Sequence, residues 1–107
     1  MGQQTLDGAD LSALRAEYDQ KVHEALPARA KRDGDWPIQL DHCFGRVVLD
    51  NLCEDVWDDE IDGRPAYKSL SRDDLERAIE IADRMLTKGR PVVTELNENS
   101  LRWRSDE

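Results

Sequence analysis

The chain has 107 residues, which suits a single domain, and it carries 24 acidic against 15 basic residues for a formal net charge of −9. This acidity argues against nucleic acid as a ligand, because affinity for phosphate backbones comes mainly from Lys and Arg. No apolar run is long enough to span a membrane and no secretory leader is visible. We therefore expect a cytoplasmic protein with reduced cysteines and no membrane partner.

The first predicted helix begins with Asp10 as its N-cap and has apolar residues at helical spacing. Glu17 and Lys21 form an i,i+4 pair on its outer side. Pro27 disturbs or ends this helix, and residues 33–35 then predict a turn. The apolar face of the helix consists of Leu11, Leu14, Tyr18, Val22 and Ala25.

A second helix is predicted from Ile38 to Trp57, with Pro37 as the residue that starts it. Its apolar residues occupy both sides, which is typical of a helix packed between neighbours, so we expect it at the centre of the core. Gly45 within the helix predicts a close helix crossing. The residues on its wide apolar face are Leu40, Cys43, Phe44, Val47, Val48, Asn51 and Leu52.

The third predicted helix has Ser71 as N-cap and ends at Lys88 and Gly89. Pro91 follows its end, and residues 92–93 predict a short extended piece before a last amphipathic turn or two. The fold class predicted is all-α: one domain over residues 1–107, with three main helices, a short C-terminal extension and flexible ends at residues 1–9 and 104–107. The expected packing anchors are Trp36, Trp57 and Trp103.

The segment from Trp36 to Trp57 contains the pattern W-P-x-x-L-D-H-C-F-x-R-x-x-L-D-N. It resembles short proteins of unassigned role with the same pattern, some of which are labelled GCN5-related acetyltransferases. Similarity is looser near residues 65–68 and 96–104. The label implies a mixed α/β fold with a central sheet and a glycine-rich pyrophosphate loop. The sequence shows neither feature, so the resemblance suggests a family and leaves the function open.

His42, Arg46 and Asp50 stand at i,i+4,i+8 and so form a polar stripe along the second helix. An imidazole and a guanidinium one turn apart are able to hold an anionic ligand, with Cys43 beside them. The alternative is structural: these side chains bond to neighbouring carboxylates and carbonyls and so fix the helix in its place. His42 is poorly placed to activate Cys43 as a nucleophile, because adjacent helical residues point about 100° apart.

An acidic span without Lys or Arg follows Arg46 and offers a surface for a basic partner. The last part of this span, residues 58–63, is similar to the first half of a calcium-binding EF-hand loop, but Ser69 stands where a bidentate Glu belongs. Cys43, Cys53 and His42 lack the spacing of a zinc site. We therefore predict no metal and no cofactor. The predicted partner surface comprises Asp58, Asp59, Glu60 and Asp62.

Three functions remain open from the sequence. The preferred one is a small non-enzymatic module that binds another protein, because no nucleophile with a base, no ligand set and no phosphate loop is apparent. The second is a small enzyme or anionic-ligand-binding protein centred on His42, Arg46 and Asp50, with Cys43 nearby. The third is an acidic DNA mimic that inhibits a nucleic-acid-binding protein. The oligomeric state is not predicted.

Overall fold

The computed structural model describes residues 3–57 and 70–105, with side chains described from residue 11 onward. The described residues form an all-α fold without a strand, as the sequence predicts. In chain order its elements are α1 (Gln3–Gln20), a π-helical turn (Lys21–Ala25), α2 (Leu26–Asp33), α3 (Asp41–Cys53), α4 (Arg72–Lys88) and α5 (Arg90–Ser105).

The first helical run continues from Gln3 to Asp33 and passes through Pro27 without ending. A proline ring clashes with the carbonyl four residues earlier and removes one helical hydrogen bond. The chain accommodates this with the π-helical turn just before Pro27, in which the Leu26 amide donates to the carbonyl of Lys21. At the other end of the run, α1 begins at Gln3, so Asp10 lies inside the helix instead of capping its start.

The run ends at Gly34, which adopts a left-handed conformation with φ of 82° and donates its amide to the Ala30 carbonyl. The prediction that the next helix begins at Pro37 is wrong, because α3 begins at Asp41 after an extended Leu40. The carboxylate of Asp41, in the first turn of α3, accepts a hydrogen bond from the backbone amide of His42 at 2.8 Å. An acidic group at this position also complements the helix dipole.

Helix α4 has the bounds that the sequence predicts. Ser71 caps it by accepting a hydrogen bond from the Asp74 amide at 3.2 Å, and Gly89 follows its last residue with φ of 74°. The C-terminal extension is itself a helix, α5, with Pro91 in its first turn instead of a short extended piece. Arg104, predicted to start a flexible tail, lies in the last turn of α5.

Helices α3 and α4 share the centre of the fold. Helix α3 packs on the π-helical turn, α2, α4 and α5, and α4 also contacts α1. The molecule is only 19 Å across its shortest dimension, about two helix diameters. The buried apolar residues are Tyr18, Val22, Leu26, Ala30, Trp36, Phe44, Val47, Val48, Leu49, Leu52, Val56, Leu70, Leu75, Ala78, Ile79, Ala82, Met85, Val93 and Leu96.

The predicted close crossing at Gly45 is wrong. Among the described residues, the nearest atom to a Cβ added there is the His23 ring carbon at 4.0 Å, which is ordinary van der Waals contact. The nearest described neighbour of Gly45 is therefore a side chain of the π-helical turn. This histidine also packs edge-on against Tyr18, with ring centroids 6.3 Å apart.

Candidate functional site

The carboxylate of Asp50 is fully buried and accepts four hydrogen bonds. Ser100 donates to Oδ2 at 2.5 Å, and the Trp57 amide donates to Oδ1 at 3.0 Å. Arg104 makes a bidentate pair, from Nε to Oδ2 at 2.8 Å and from Nη2 to Oδ1 at 3.1 Å. A carboxylate with this many donors is satisfied within the protein. Asp50 thus joins α3 to the last turns of α5.

Three further hydrogen bonds, which involve Arg46 and Asn51 of α3, join the same helices. Arg46 donates from Nη2 to the side-chain oxygen of Asn97, and its own Nε is buried without a hydrogen-bond partner among the described residues. Asn51 donates to the carbonyls of Val47 and Leu96 at 2.8 and 3.0 Å. The side-chain oxygen of Asn51 accepts a hydrogen bond from the side-chain amide of Asn99 at 3.2 Å. Buried polar groups with defined partners fix one relative position of α3 and α5.

The remaining member of the predicted stripe, His42, lies in different surroundings. The His42 side chain is 76% exposed, and its Nδ1 lies 3.9 Å from Asp41. Cys43 and Cys53 are both partly buried, and neither is part of a disulfide. The structure therefore places Arg46 and Asp50 against α5 and leaves His42 at the surface at the start of α3.

The predicted partner surface of Asp58, Asp59, Glu60 and Asp62 lies outside the described residues. Within the described ranges, no group of three His, Cys, Asp or Glu side chains is placed to hold a metal ion.

An open cleft of about 290 Å³ lies between α3, α4 and α5, next to the Asp50 cluster. Its lining residues are chain neighbours of Asp50 and its partners, because Asn51 follows Asp50, Asn99 precedes Ser100 and Trp103 precedes Arg104. The hydrogen bonds of Asn51 with Leu96 and Asn99 therefore join two walls of the cleft, α3 and α5. The lining residues are Asn51, Glu54, Ile81, Arg84, Glu95, Leu96, Asn99 and Trp103.

The charges of the cleft stand at its rim. Glu54, Arg84 and Glu95 are exposed, and none of them has an ion-pair partner in the part of the chain that the structure describes. The half-buried Trp103 supplies the aromatic wall. The lining thus combines an aromatic face, two amide side chains and an excess of one negative charge.

The conformation of Glu54 is unusual for a residue with a side chain. It ends α3 in the left-handed helical region, with φ of 56° and ψ of 37°, the only described non-glycine residue with positive φ. This conformation costs roughly 1–2 kcal/mol for a residue other than glycine. Glycine is the usual residue at this position of a helix end, so a glutamate there retains its carboxylate at a cost in stability.

The sequence alone does not predict the cleft residues as a site. It places Glu54 in the acidic span after Arg46 and predicts Trp103 as a packing anchor, and it indicates no role for Arg84 or Glu95. The one available signal was the run of polar residues Asn97, Asn99 and Ser100 in the C-terminal segment. Such a run indicates hydrogen bonds to α3 only when the segment is known to be a helix that packs on α3.

Comparison with family models, curated proteins and solved structures found no match for this chain. None of the described helices is both long enough and apolar enough to cross a membrane.

Proposed function

We propose that the protein is a small module that binds a basic region of another protein in the cleft between α3, α4 and α5. The observation that carries the proposal is the rim of the cleft, where the carboxylates of Glu54 and Glu95 stand exposed without ion-pair partners among the described residues. A net charge of −9 adds a long-range field that attracts a basic partner.

The strained Glu54 supports this proposal. Because a glycine at this helix end would avoid the cost of a left-handed conformation, the retained side chain points to a role other than stability. The cleft also suits a side chain of a partner better than a small molecule. Pockets for small molecules usually enclose about 300–1,000 Å³ and bury most of the ligand. This cleft lies at the lower end of that range and is open to solvent, so it would leave much of a small ligand exposed.

The anionic-ligand alternative retains one supporting observation, the buried Arg46 Nε without a hydrogen-bond partner among the described residues. Against it, Asp50 is already saturated by Trp57, Ser100 and Arg104. The DNA-mimic alternative depends on the carboxylates between Asp58 and Asp62, which are outside the described residues. Protein binding at the cleft is therefore the function that the geometry favours.

The test is a nuclear magnetic resonance titration of the ¹⁵N-labelled protein with three pools of short peptides: basic, acidic and neutral apolar. The side-chain amides of Asn51 and Asn99 and the indole N–H of Trp103 report directly on the cleft. We expect the basic pool to shift these signals and the acidic pool to leave them unchanged. The shifts should weaken as salt shortens the Debye length from about 10 Å at 0.1 M to about 3 Å at 1 M.

The indole signals of Trp36 and Trp57 serve as internal controls, since neither residue lines the cleft. If no peptide pool shifts the cleft signals, the proposed function is wrong.

A further inference from the structure

The cleft already has a guanidinium at its edge, supplied by the protein itself. Arg102 donates from Nη2 to the side-chain oxygen of Asn99 at 3.1 Å. Its guanidinium carbon lies 5.8 Å from the centroid of the Trp103 ring. Asn99 and Trp103 both line the cleft, whereas Arg102 does not. An amide oxygen and an aromatic face thus act together on one guanidinium.

We infer that the group which a partner places in the cleft is an arginine side chain. This inference rests on the proposed function, because it names the chemistry that the same cleft recognises. A guanidinium is planar, presents several N–H donors and stacks on aromatic faces, whereas an ammonium is a compact and strongly hydrated charge. The Trp103 face, the rim carboxylates and the second acceptor site of each cleft amide oxygen match the first set of properties.

The charges at the rim predict whether each substitution weakens or strengthens the binding of arginine. Glu54 and Glu95 attract an arginine, and Arg84 on the opposite helix repels it. Exposed ion pairs contribute about 0.2–1 kcal/mol, which corresponds to a change of up to about 5-fold in affinity. Glu54→Gln and Glu95→Gln should each weaken arginine binding about 1.4- to 5-fold, and Arg84→Gln should strengthen it by a similar factor.

Arg102 competes for the same ring under this account. Arg102→Gln removes the internal guanidinium from Trp103 and leaves the cleft lining unchanged. We expect this variant to bind an arginine peptide about 2-fold more tightly or better, because the energy of an exposed cation–π contact is about 0.5–1 kcal/mol. Loss of one positive charge should add to the attraction, so Lys31→Gln, at an exposed lysine that does not line the cleft, provides the comparison for net charge alone.

The experiment uses three capped peptides that alternate glycine with arginine, lysine or glutamine. Dissociation constants are measured for the full chain from the Asn99 and Trp103 signals. The arginine peptide should bind at least about 2-fold more tightly than the lysine peptide of equal charge. The glutamine peptide should not bind. Glu24→Gln is the matched control, since Glu24 is an exposed glutamate that does not line the cleft, and it should change affinity less than about 1.5-fold.

Equal binding of the arginine and lysine peptides would overturn the inference and leave the proposed function standing. Equal effects of Glu95→Gln and Glu24→Gln would also overturn it, because attraction would then reflect only the total charge. If none of the three peptides shifts the cleft signals while another basic peptide does, the inference fails alone. Thermal melts of each variant confirm that it is folded before its affinity is compared.

Discussion

The donors that satisfy Asp50 come from Trp57, Ser100 and Arg104, of which the last two are separated from it by about half the chain. Spacing along one helix predicts that His42, Arg46 and Asp50 follow one another down α3. It does not predict which groups they meet, because that depends on how α5 packs on α3. The serine and arginine look like ordinary polar residues of a helix end until the two helices are brought together.

Asp50→Ala tests the structural role of this residue. The substitution removes the acceptor of four hydrogen bonds and leaves Ser100 and Arg104 without their buried partner. Breaking a buried ion pair from one side costs about 3–5 kcal/mol, so urea denaturation should show a loss of that size. His42→Ala, at the exposed end of the same stripe, should change stability by less than about 0.5 kcal/mol. A loss below about 1 kcal/mol for Asp50→Ala would contradict the structural role.

Among the helices, α4 is the one whose bounds the sequence predicts best. Its N-cap at Ser71 and its glycine at position 89 are local signals that do not depend on the rest of the fold. The sequence predicts too short a helix α5, because Pro91 is also typical of a position just beyond a helix end. A proline is equally suitable in the first turn of a new helix, where its missing N–H has no partner to lose. Local sequence does not distinguish these two roles.

Gly45→Ala should stabilise the protein by about 0.5–1 kcal/mol, because alanine is the better helix former and the structure leaves room for a methyl group. Gly89→Ala is the matched control. Gly89 has φ of 74° and ψ of −143°, a conformation that only glycine adopts readily, so its replacement should destabilise the protein. Urea midpoints of the two variants are compared with that of the unaltered chain. A destabilising Gly45→Ala would show a tighter contact with the π-helical turn than the structure has.

At the scale of the whole molecule, the sequence predicts an acidic all-α domain and, from its charge, a basic partner. It does not predict the cleft, since the lining comes from three helices that are far apart in the chain. The residues that form it are unremarkable in their own segments. Their combination depends on the contacts of Asp50 and Asn51 with α5, which place Trp103 and Glu95 beside the end of α3.

The most direct test of the account is a photo-crosslinking measurement in the native cell extract. Arg84 is replaced by photoreactive benzoylphenylalanine, because this residue stands at the rim of the cleft and is not required for binding under the account. The same replacement at the exposed Glu24 is the control. We expect a discrete adduct from position 84 only, whose mapped partner peptide contains arginine. Equal adducts from both positions, or a mapped peptide without basic residues, would contradict the assignment of the cleft as the binding site.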